Sequence, residues 1–383
     1  MSDARPLHVG RPNLGPREVF DRYVDRIYSG GWLTNDGPLV RELEEEVAAR
    51  TGVRHCVAMC NGTVALEIAV RALGLEGEVV VPAFTFVATA HALSWQGIRP
   101  VFADVDPRTH TLDPRSVEAV ITPRTTGIIG VHLWGRPADV TGLQDVADRH
   151  GLALMFDAAH AFDCTAGGRP VGGAGRVEVF SFHATKFFNT FEGGALVTND
   201  DELAHTARLM RNFGFAGYDT VVHPGTNGKM SEIAAAMGLT NLPGLDALID
   251  ANRAVHESYS RALADIPGVE VLQPDPLERS NFQYVVAVVE DGAEARDRAV
   301  AALHAEGVLA RRYFWPGVHR MQPYASWDGP APSVPVTEWV ADRVVVLPAG
   351  PGVTPDDVST VRRVIASAVD GAPTPDRPAA ARR

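Results

Sequence analysis

Between residues 37 and about 240 the sequence alternates amphipathic segments with short apolar runs that are rich in β-branched residues. The amphipathic segments carry apolar residues three or four positions apart, which predicts helices. In GPLVRELEEEVAARTG, for example, Leu39, Leu43 and Val47 share one face. Runs such as HCVAMC, EVVV and LALMFDAAH predict buried strands. Because strands joined by helices of this length need right-handed crossovers, we expect an α/β fold with a mostly parallel sheet between helices.

The pattern changes in the last third of the chain. LDALIDANRAVHESYSRALADI predicts a long helix, and VEVL, QYVVAVVE, ARDRAVAALHAEG and ARRYFW predict two strands, a helix and a further strand. We therefore expect a large α/β domain over residues 1–245, including the N-terminal segment, and a small α+β domain over 246–371. Residues 372–383 are rich in Pro, Ala and Arg without periodicity, and we expect a flexible tail there.

Composition narrows the class of protein. The 383 residues can form two or three domains, and 45% hydrophobic residues argue against intrinsic disorder. The net charge of −12 argues against a protein that coats nucleic acid or anionic membrane. Three cysteines are too few for a disulfide framework, and we find neither a signal peptide nor a membrane-spanning apolar stretch. We expect a cytoplasmic protein.

Two charged residues follow apolar strands. Asp157 ends LALMFD, where parallel sheets bind ligands, although such a residue can also cap a helix. Lys186 follows VFSF among several phenylalanines, and apolar surroundings lower the pKa of an amine and favour its nucleophilic neutral form. The alternative is a surface lysine whose stem packs on apolar groups. Lys186 and Lys229 are the only lysines in the chain, which argues against this alternative.

Two further segments suit a cofactor. Gly62 and Thr63 in CNGTVALEIAV would place free N–H groups at a helix N-terminus, which suits a phosphate, although such helix starts are common. Phe86 in PAFTFVATA follows a strand and could stack on a ring, although most such aromatic residues belong to the core. A phosphate cradle, a stacking ring, a carboxylate and a lysine are together what pyridoxal 5'-phosphate (PLP) requires.

The order of NGT, PAFTFVATA, FDAAHA, SFHATK and GTNGKMSEIAAAMG resembles the DegT-type nucleotide-sugar aminotransferases, a branch of the fold-type-I PLP enzymes. GWLTNDGPLVRELEE, VHLWGRP and SFHATKFFNTFEGGA most resemble the members that aminate dTDP-4-keto-6-deoxyglucose at its 4-position. The resemblance implies that Lys186 forms the Schiff base with PLP and that Asp157 pairs with the pyridine nitrogen. For the other cofactor contacts it implies Gly62, Thr63 and Ser181 at the phosphate, Phe86 and either Ala159 or His160 at the ring faces, and Asn227 from a neighbouring subunit.

The resemblance also implies an activity. L-glutamate would donate its amino group and leave the pyridoxamine form of the cofactor, which would aminate the sugar ketone to give dTDP-4-amino-4,6-dideoxyglucose for aminosugar, antibiotic or polysaccharide biosynthesis. The enzyme would be a homodimer with shared active sites, without a metal, a nucleic acid or a membrane as partner. As candidate substrate contacts we take His183, Lys229, Tyr313 and His319.

Other readings stay open at this point. A 3-keto nucleotide sugar or an aminocyclitol ketone would suit the same motifs, as would a regulatory protein that binds PLP without turnover. The lysine and the aspartate favour catalysis. A Rossmann dehydrogenase would need G-x-G-x-x-G between a strand and a helix early in the domain, and we find none there.

Overall fold

The computed structural model describes residues 6–327 and 332–369, so the tail expected at 372–383 lies outside the described residues. Its strands are β1 (Leu7–His8), β2 (His55–Met59), β3 (Glu78–Pro82), β4 (Arg99–Ala103), β5 (Thr125–Val131), β6 (Ala153–Asp157), β7 (Thr165–Ala166), β8 (Arg169–Pro170), β9 (Val177–Ser181), β10 (Gly194–Thr198), β11 (Val269–Val271), β12 (Val285–Val289), β13 (Val308–Leu309) and β14 (Val344–Leu347).

The α-helices are α1 (Arg17–Gly30), α2 (Pro38–Thr51), α3 (Gly62–Ala72), α4 (Ala88–Ser94), α5 (Pro114–Val120), α6 (Val140–His150), α7 (Asp201–Arg211), α8 (Glu232–Asn241), α9 (Leu245–Leu263), α10 (Ala293–Ala305), α11 (Pro335–Ala341) and α12 (Pro355–Val369). Short 3-10 helices occur at Leu242–Gly244, Val318–Arg320 and Tyr324–Ser326. No helix in the described ranges is long and apolar enough to cross a membrane.

A seven-stranded sheet has the order β2-β10-β9-β6-β5-β3-β4. All of its strands run parallel except β10, which is antiparallel to β2 and to β9. Helices α3, α4 and α7 pack on one face, and α5 and α6 pack on the other. The predicted mostly parallel sheet between helices is therefore confirmed. Its carboxyl edge carries Asp157 at the end of β6 and Ser181 at the end of β9.

A second, antiparallel sheet has the order β11-β12-β14, and its apolar residues pack with those of α9, α10 and α12. Strand β1 pairs in parallel with β13, while the residues that follow it also contact the large α/β region, for example Val9 packing with Phe84. The division at residue 245 stays a prediction.

The strand predicted at ARRYFW is wrong. Strand β13 ends at Leu309, and from there only Arg311 forms an isolated bridge, with Val346. The N–H of Trp315 donates to the carbonyl of Arg312 at 2.7 Å, which closes a turn. Pro316 follows this turn and has no N–H with which to continue a ladder.

Candidate functional site

A cavity of 630 Å³ opens at the carboxyl edge of the seven-stranded sheet. Ten of the residues singled out from the sequence line it, namely Gly62, Thr63, Phe86, Asp157, Ala159, His160, Ser181, His183, Lys186 and Tyr313. Sequence reasoning missed other residues of its wall, among them Tyr284 and Phe314. Asn227, Lys229 and His319 are not among the lining residues of the described chain. The structure thus brings most of the candidates to one place.

Lys186 lies on the loop after β9, where its backbone N–H donates to the carbonyl of His183 at 2.8 Å. Burial lowers the pKa of its amine to about 8, although the nearby carboxylate of Asp157 opposes this effect. On either side of the lysine, Phe182 and Phe188 are buried and their rings meet edge-to-face at 4.8 Å. These two rings anchor the loop in the core. Because its pKa is lowered to about 8, the Lys186 amine is partly in its neutral form near neutral pH.

Asp157 is buried at the end of β6 with two hydrogen-bond donors. The Thr89 hydroxyl donates to its Oδ2 at 2.8 Å, and the Ala159 N–H donates to its Oδ1 at 3.1 Å. Burial raises the pKa of the carboxyl above its ordinary value of 3.8, while both hydrogen bonds oppose the rise. A cationic ring nitrogen facing this carboxylate would compensate the cost of burying its charge.

Beneath Asp157, on the other face of the sheet, a histidine supports the same edge. The His132 ring stacks on Phe156 with centroids 4.7 Å apart, and its Nδ1 accepts the N–H of Ala138 at 2.9 Å. Its Nε2 lies 3.2 Å from Oε2 of Glu178, and both residues are fully buried. The backbone N–H of His132 donates to the carbonyl of Asp157 at 3.0 Å, and this hydrogen bond helps to fix the end of β6.

The N-terminus of α3 forms a site suited to an anion. The Asn61 side chain accepts the N–H of Val64 at 2.8 Å, while Gly62 and Thr63, whose N–H groups have no partner within a helix, line the cavity. A Cβ on Gly62 would lie 3.0 Å from the Cβ of Ser181, so glycine lets α3 begin close to the end of β9. The helix end and the Ser181 hydroxyl could together hold a phosphate.

Aromatic rings form another part of the cavity wall. Phe86 is 55% exposed, and its ring centroid is 6.1 Å from that of Phe314. His160 stacks on Trp134 at 5.9 Å, and its Nε2 is 3.3 Å from the Tyr284 hydroxyl. Trp134 and Phe314 also stack, with centroids 5.5 Å apart. A flat heterocycle would fit between such surfaces.

The two histidines named as candidate substrate contacts differ in their positions. His183 lines the cavity, with Nδ1 2.9 Å from the Thr185 hydroxyl and Nε2 3.4 Å from Glu192. His319 is buried outside the lining, with Nε2 3.4 Å from Glu338. His319 therefore lies outside the lining of this cavity, and its contact with substrate stays a prediction.

Asn227 and Lys229 lie on the segment that precedes α8. Asn227 is exposed and forms an isolated bridge with Asn212, while the Lys229 Nζ lies 4.6 Å from the ring centroid of Phe213. Glu232, the alternative partner of Lys229 at i, i+3, instead accepts the N–H groups of Leu39 and Val40, both at 2.9 Å. The carboxylate therefore caps α2, and Lys229 faces outward beside an aromatic ring.

Comparison with known proteins places the site in context. Residues 16–366 match the DegT/DnrJ/EryC1/StrS aminotransferase family. The dTDP-4-amino-4,6-dideoxy-D-glucose transaminase of Shigella dysenteriae is 38% identical over 365 residues, which cover 94% of this chain and 99% of that protein. A protein of the same name from Escherichia coli is 35% identical over 353 residues, covering 91% and 94%. The structure is also similar to that of DesI in the presence of its TDP-sugar product, with a TM-score of 0.91, 49% identity and coverage of 96% and 94%. The predicted fold class is confirmed by this similarity.

Proposed function

Because the chain belongs to the DegT/DnrJ/EryC1/StrS aminotransferase family, we propose that it is a PLP-dependent enzyme that transfers an amino group from L-glutamate to the 4-keto carbon of dTDP-4-keto-6-deoxyglucose. The product would be dTDP-4-amino-4,6-dideoxyglucose. The observation that carries this proposal is one cavity holding Lys186, Asp157 and the N-terminus of α3. The names of the two transaminase relatives support the choice of sugar.

The residues fit the cofactor group by group. PLP, when bound, supplies an aldehyde that takes up an amino group and a ring that accepts an electron pair. Gly62, Thr63 and Ser181 would hold its phosphate, and Phe86 and His160 would border its ring. Asp157, already held by two donors, would keep the ring nitrogen protonated.

Lys186 is assigned the proton transfer. With a pKa of about 8, its amine is neutral in roughly a tenth of the molecules at pH 7. The neutral amine can attack an aldehyde. Once free, it would take a proton from the substrate carbon and deliver it to the carbon on the other side of the shared nitrogen, which comes from the aldehyde. By keeping the ring nitrogen protonated, Asp157 would let the ring accept the electron pair that this transfer leaves behind. Two half-reactions at one site predict ping-pong kinetics.

We propose that the second subunit completes the site. Asn227 lies outside the cavity of its own chain on a segment bordered by exposed apolar side chains, including Phe213, Phe215 and Tyr218. Such a patch is typical of a protein interface. In a homodimer this segment would bring Asn227 to the cofactor phosphate, and Lys229 to the nucleotide, of the partner's cavity. With a net charge of −12, the protein needs such locally placed cations for an anionic substrate.

Spectroscopy tests the activity. The purified enzyme should show the visible absorption of bound PLP, lose it with L-glutamate, and regain it with dTDP-4-keto-6-deoxyglucose. Loss without recovery, combined with recovery on a 3-keto isomer, would overturn the choice of sugar and keep the aminotransferase. Lys186→Ala should abolish turnover, and Asp157→Asn should reduce kcat at least a hundredfold. Normal turnover by Lys186→Ala would overturn the mechanism.

Subunit mixing tests the shared site. Lys186→Ala and Asn227→Ala homodimers would each be inactive or weak. In a mixed dimer, a shared arrangement gives one cavity with both defects and one cavity with neither. Mixing after mild dissociation makes about half of the dimers mixed, and each mixed dimer has one intact cavity. Averaged over all dimers, the activity should therefore rise to about half of that of one wild-type site per dimer. If Asn227 acted within its own chain, every cavity would keep one defect and mixing would restore nothing.

A further inference from the structure

His160 holds an unusual position among the residues of the cavity. Its ring is 93% buried, stacked on Trp134 and nearly parallel to Phe314, and it borders the same space as Lys186. Burial, and then the charge of Lys186, lowers the pKa of its imidazole well below 6.5. The ring is therefore neutral during turnover, with one nitrogen that accepts a hydrogen bond and one that donates.

Tyr284 decides which nitrogen accepts. Its hydroxyl is 3.3 Å from Nε2 of His160, and burial raises the pKa of the phenol to about 12, so the hydroxyl keeps its proton. Nδ1 of His160 is buried and has no hydrogen-bond partner in the described part of the chain. If the phenol donates to Nε2, the tyrosine proton is satisfied and the imidazole proton lies on Nδ1. The opposite arrangement would leave the phenol proton without this acceptor and a bare lone pair at Nδ1.

We propose that Tyr284 is a positioning residue that holds His160 in its Nδ1–H form, so that a proton donor and not a lone pair faces the cofactor ring. The inference rests on the proposed function only in requiring PLP in this cavity. Tyr284 acts through His160, whose ring it contacts at a tilt of 57° with the two centroids 4.7 Å apart. The buried Nδ1–H of His160 has no partner in the described part of the chain, and the ring oxygen of the cofactor would satisfy it.

A donor at this oxygen has a measurable consequence. It stabilises negative charge on the oxygen, and the deprotonated form of the bound chromophore carries more of that charge than the protonated form. The donor therefore lowers the pH at which the visible band titrates. The titratable groups that line the cavity with His160 are Tyr284, Lys186, Tyr313, Asp157, His132, His183 and Glu192, and the test must separate Tyr284 from the field of the others.

The experiment titrates the visible absorption of the PLP-loaded enzyme from pH 5.5 to pH 10. Tyr284→Phe removes only the hydroxyl, and we expect the pH midpoint to rise by about one unit, which corresponds to the loss of one charge-assisted hydrogen bond. Tyr259→Phe is the matched control. Tyr259 is a fully buried tyrosine in the C-terminal core, outside the cavity, and its loss should leave the midpoint unchanged.

A second background separates positioning from a direct effect. His160→Asn keeps an amide donor near the place of Nδ1 but has no counterpart of Nε2. In this background Tyr284→Phe should shift the midpoint by less than about 0.2 unit. A shift of the same size in both backgrounds would show that Tyr284 acts directly, and no shift in either would also overturn the inference. A wild-type enzyme without any visible band would instead overturn the proposed function.

Discussion

The hydrogen bond from Thr89 to Asp157 offers a sharp test of how the site is built. Thr89 is fully buried in α4, and its hydroxyl donates to Oδ2 of Asp157 at 2.8 Å. Because that proton is used, the Thr85 hydroxyl, 3.1 Å away, donates to Thr89 in turn. Thr89→Val keeps the shape and removes one of the two donors that support the carboxylate, whereas Thr89→Ser keeps the donor.

The magnitude follows from the charge of the acceptor. A hydrogen bond to an ionised group contributes about 1.5–3 kcal/mol, against about 1 kcal/mol for a neutral pair. Thr89→Val also leaves the Thr85 hydroxyl without its acceptor on Thr89, and this loss lowers the free energy of unfolding by up to about 1 kcal/mol more at any pH. We therefore expect Thr89→Val to destabilise the cofactor-free protein by about 2–4 kcal/mol at pH 7.

The pH dependence has a definite sign. Burial raises the pKa of Asp157 above the 3.8 of an exposed aspartate, so ionising the group costs folding stability as the pH rises from about 3.8 through the raised pKa. Thr89→Val raises this pKa further and enlarges the cost. The difference from wild type should therefore grow with pH and be smallest where Asp157 is protonated.

Urea unfolding of the cofactor-free protein between pH 4.5 and pH 8 measures this difference, with Thr89→Ser as the matched control. In the PLP-loaded enzyme, Thr89→Val should also weaken cofactor binding by up to about tenfold, since the carboxylate is held less firmly. Equal destabilisation by Val and Ser would refute the role of the hydroxyl. A loss from Thr89→Val that stays constant across the pH range would refute the ionised state of Asp157.

Three further predictions concern other parts of the site and its frame. Gly62→Ala places a Cβ 3.0 Å from the Cβ of Ser181 and should weaken PLP binding at least tenfold with the circular dichroism spectrum unchanged; a normal dissociation constant in a PLP titration would contradict the phosphate cradle. Glu232→Gln removes one of the two carboxylate oxygens that accept backbone N–H groups at the start of α2, and it should lower the free energy of unfolding in urea by about 2 kcal/mol. The exposed Glu45→Gln should lower it by less than about 0.5 kcal/mol, and equal effects would count against the cap. In cofactor-free enzyme, reductive labelling of Lys186 by an aldehyde should rise with pH around a midpoint of about 8, because only the neutral amine reacts; a midpoint near 10.5 would show that burial does not act on this amine.

The carboxyl edge of the sheet could be predicted because its signals are local. Asp157 and Lys186 each follow an apolar run, and Gly62 begins a helix directly after one. The predicted strands alone therefore place all three residues at strand ends. In a parallel sheet, ends of neighbouring strands meet, and this rule brings residues more than a hundred positions apart to one edge. The elements from α2 to β6 follow the predicted alternation for the same reason, whereas β6 to β10 follow one another without an intervening helix.

The aromatic wall and the second donor to Asp157 could not be predicted in this way. Thr89 lies inside a helix, where a threonine gives no signal that its hydroxyl supports a carboxylate 68 positions later. Tyr284 immediately precedes β12 and reaches His160 across 124 positions. Neither pairing follows from periodicity. The packing of α4 on the sheet decides the first, and the packing of the C-terminal elements against the sheet decides the second. The failed strand at ARRYFW has a similar origin. Its three aromatic residues favour a strand there, while the turn before Pro316 brings Tyr313 and Phe314 to the cavity.

The net negative charge of the chain bears on how the site binds an anionic substrate. A chain with 47 acidic and 35 basic residues repels an anionic sugar nucleotide over most of its surface. Its two lysines lie in different places. Burial lowers the pKa of both amines, to about 8 for Lys186 inside the cavity, while Lys229 lies outside it beside Phe213. Only a neutral amine can react with an aldehyde, whereas only a charged one can attract a phosphate. A monomer offers both groups in separate places, and a dimer that brings Lys229 to the partner's cavity would give each site one amine of each kind.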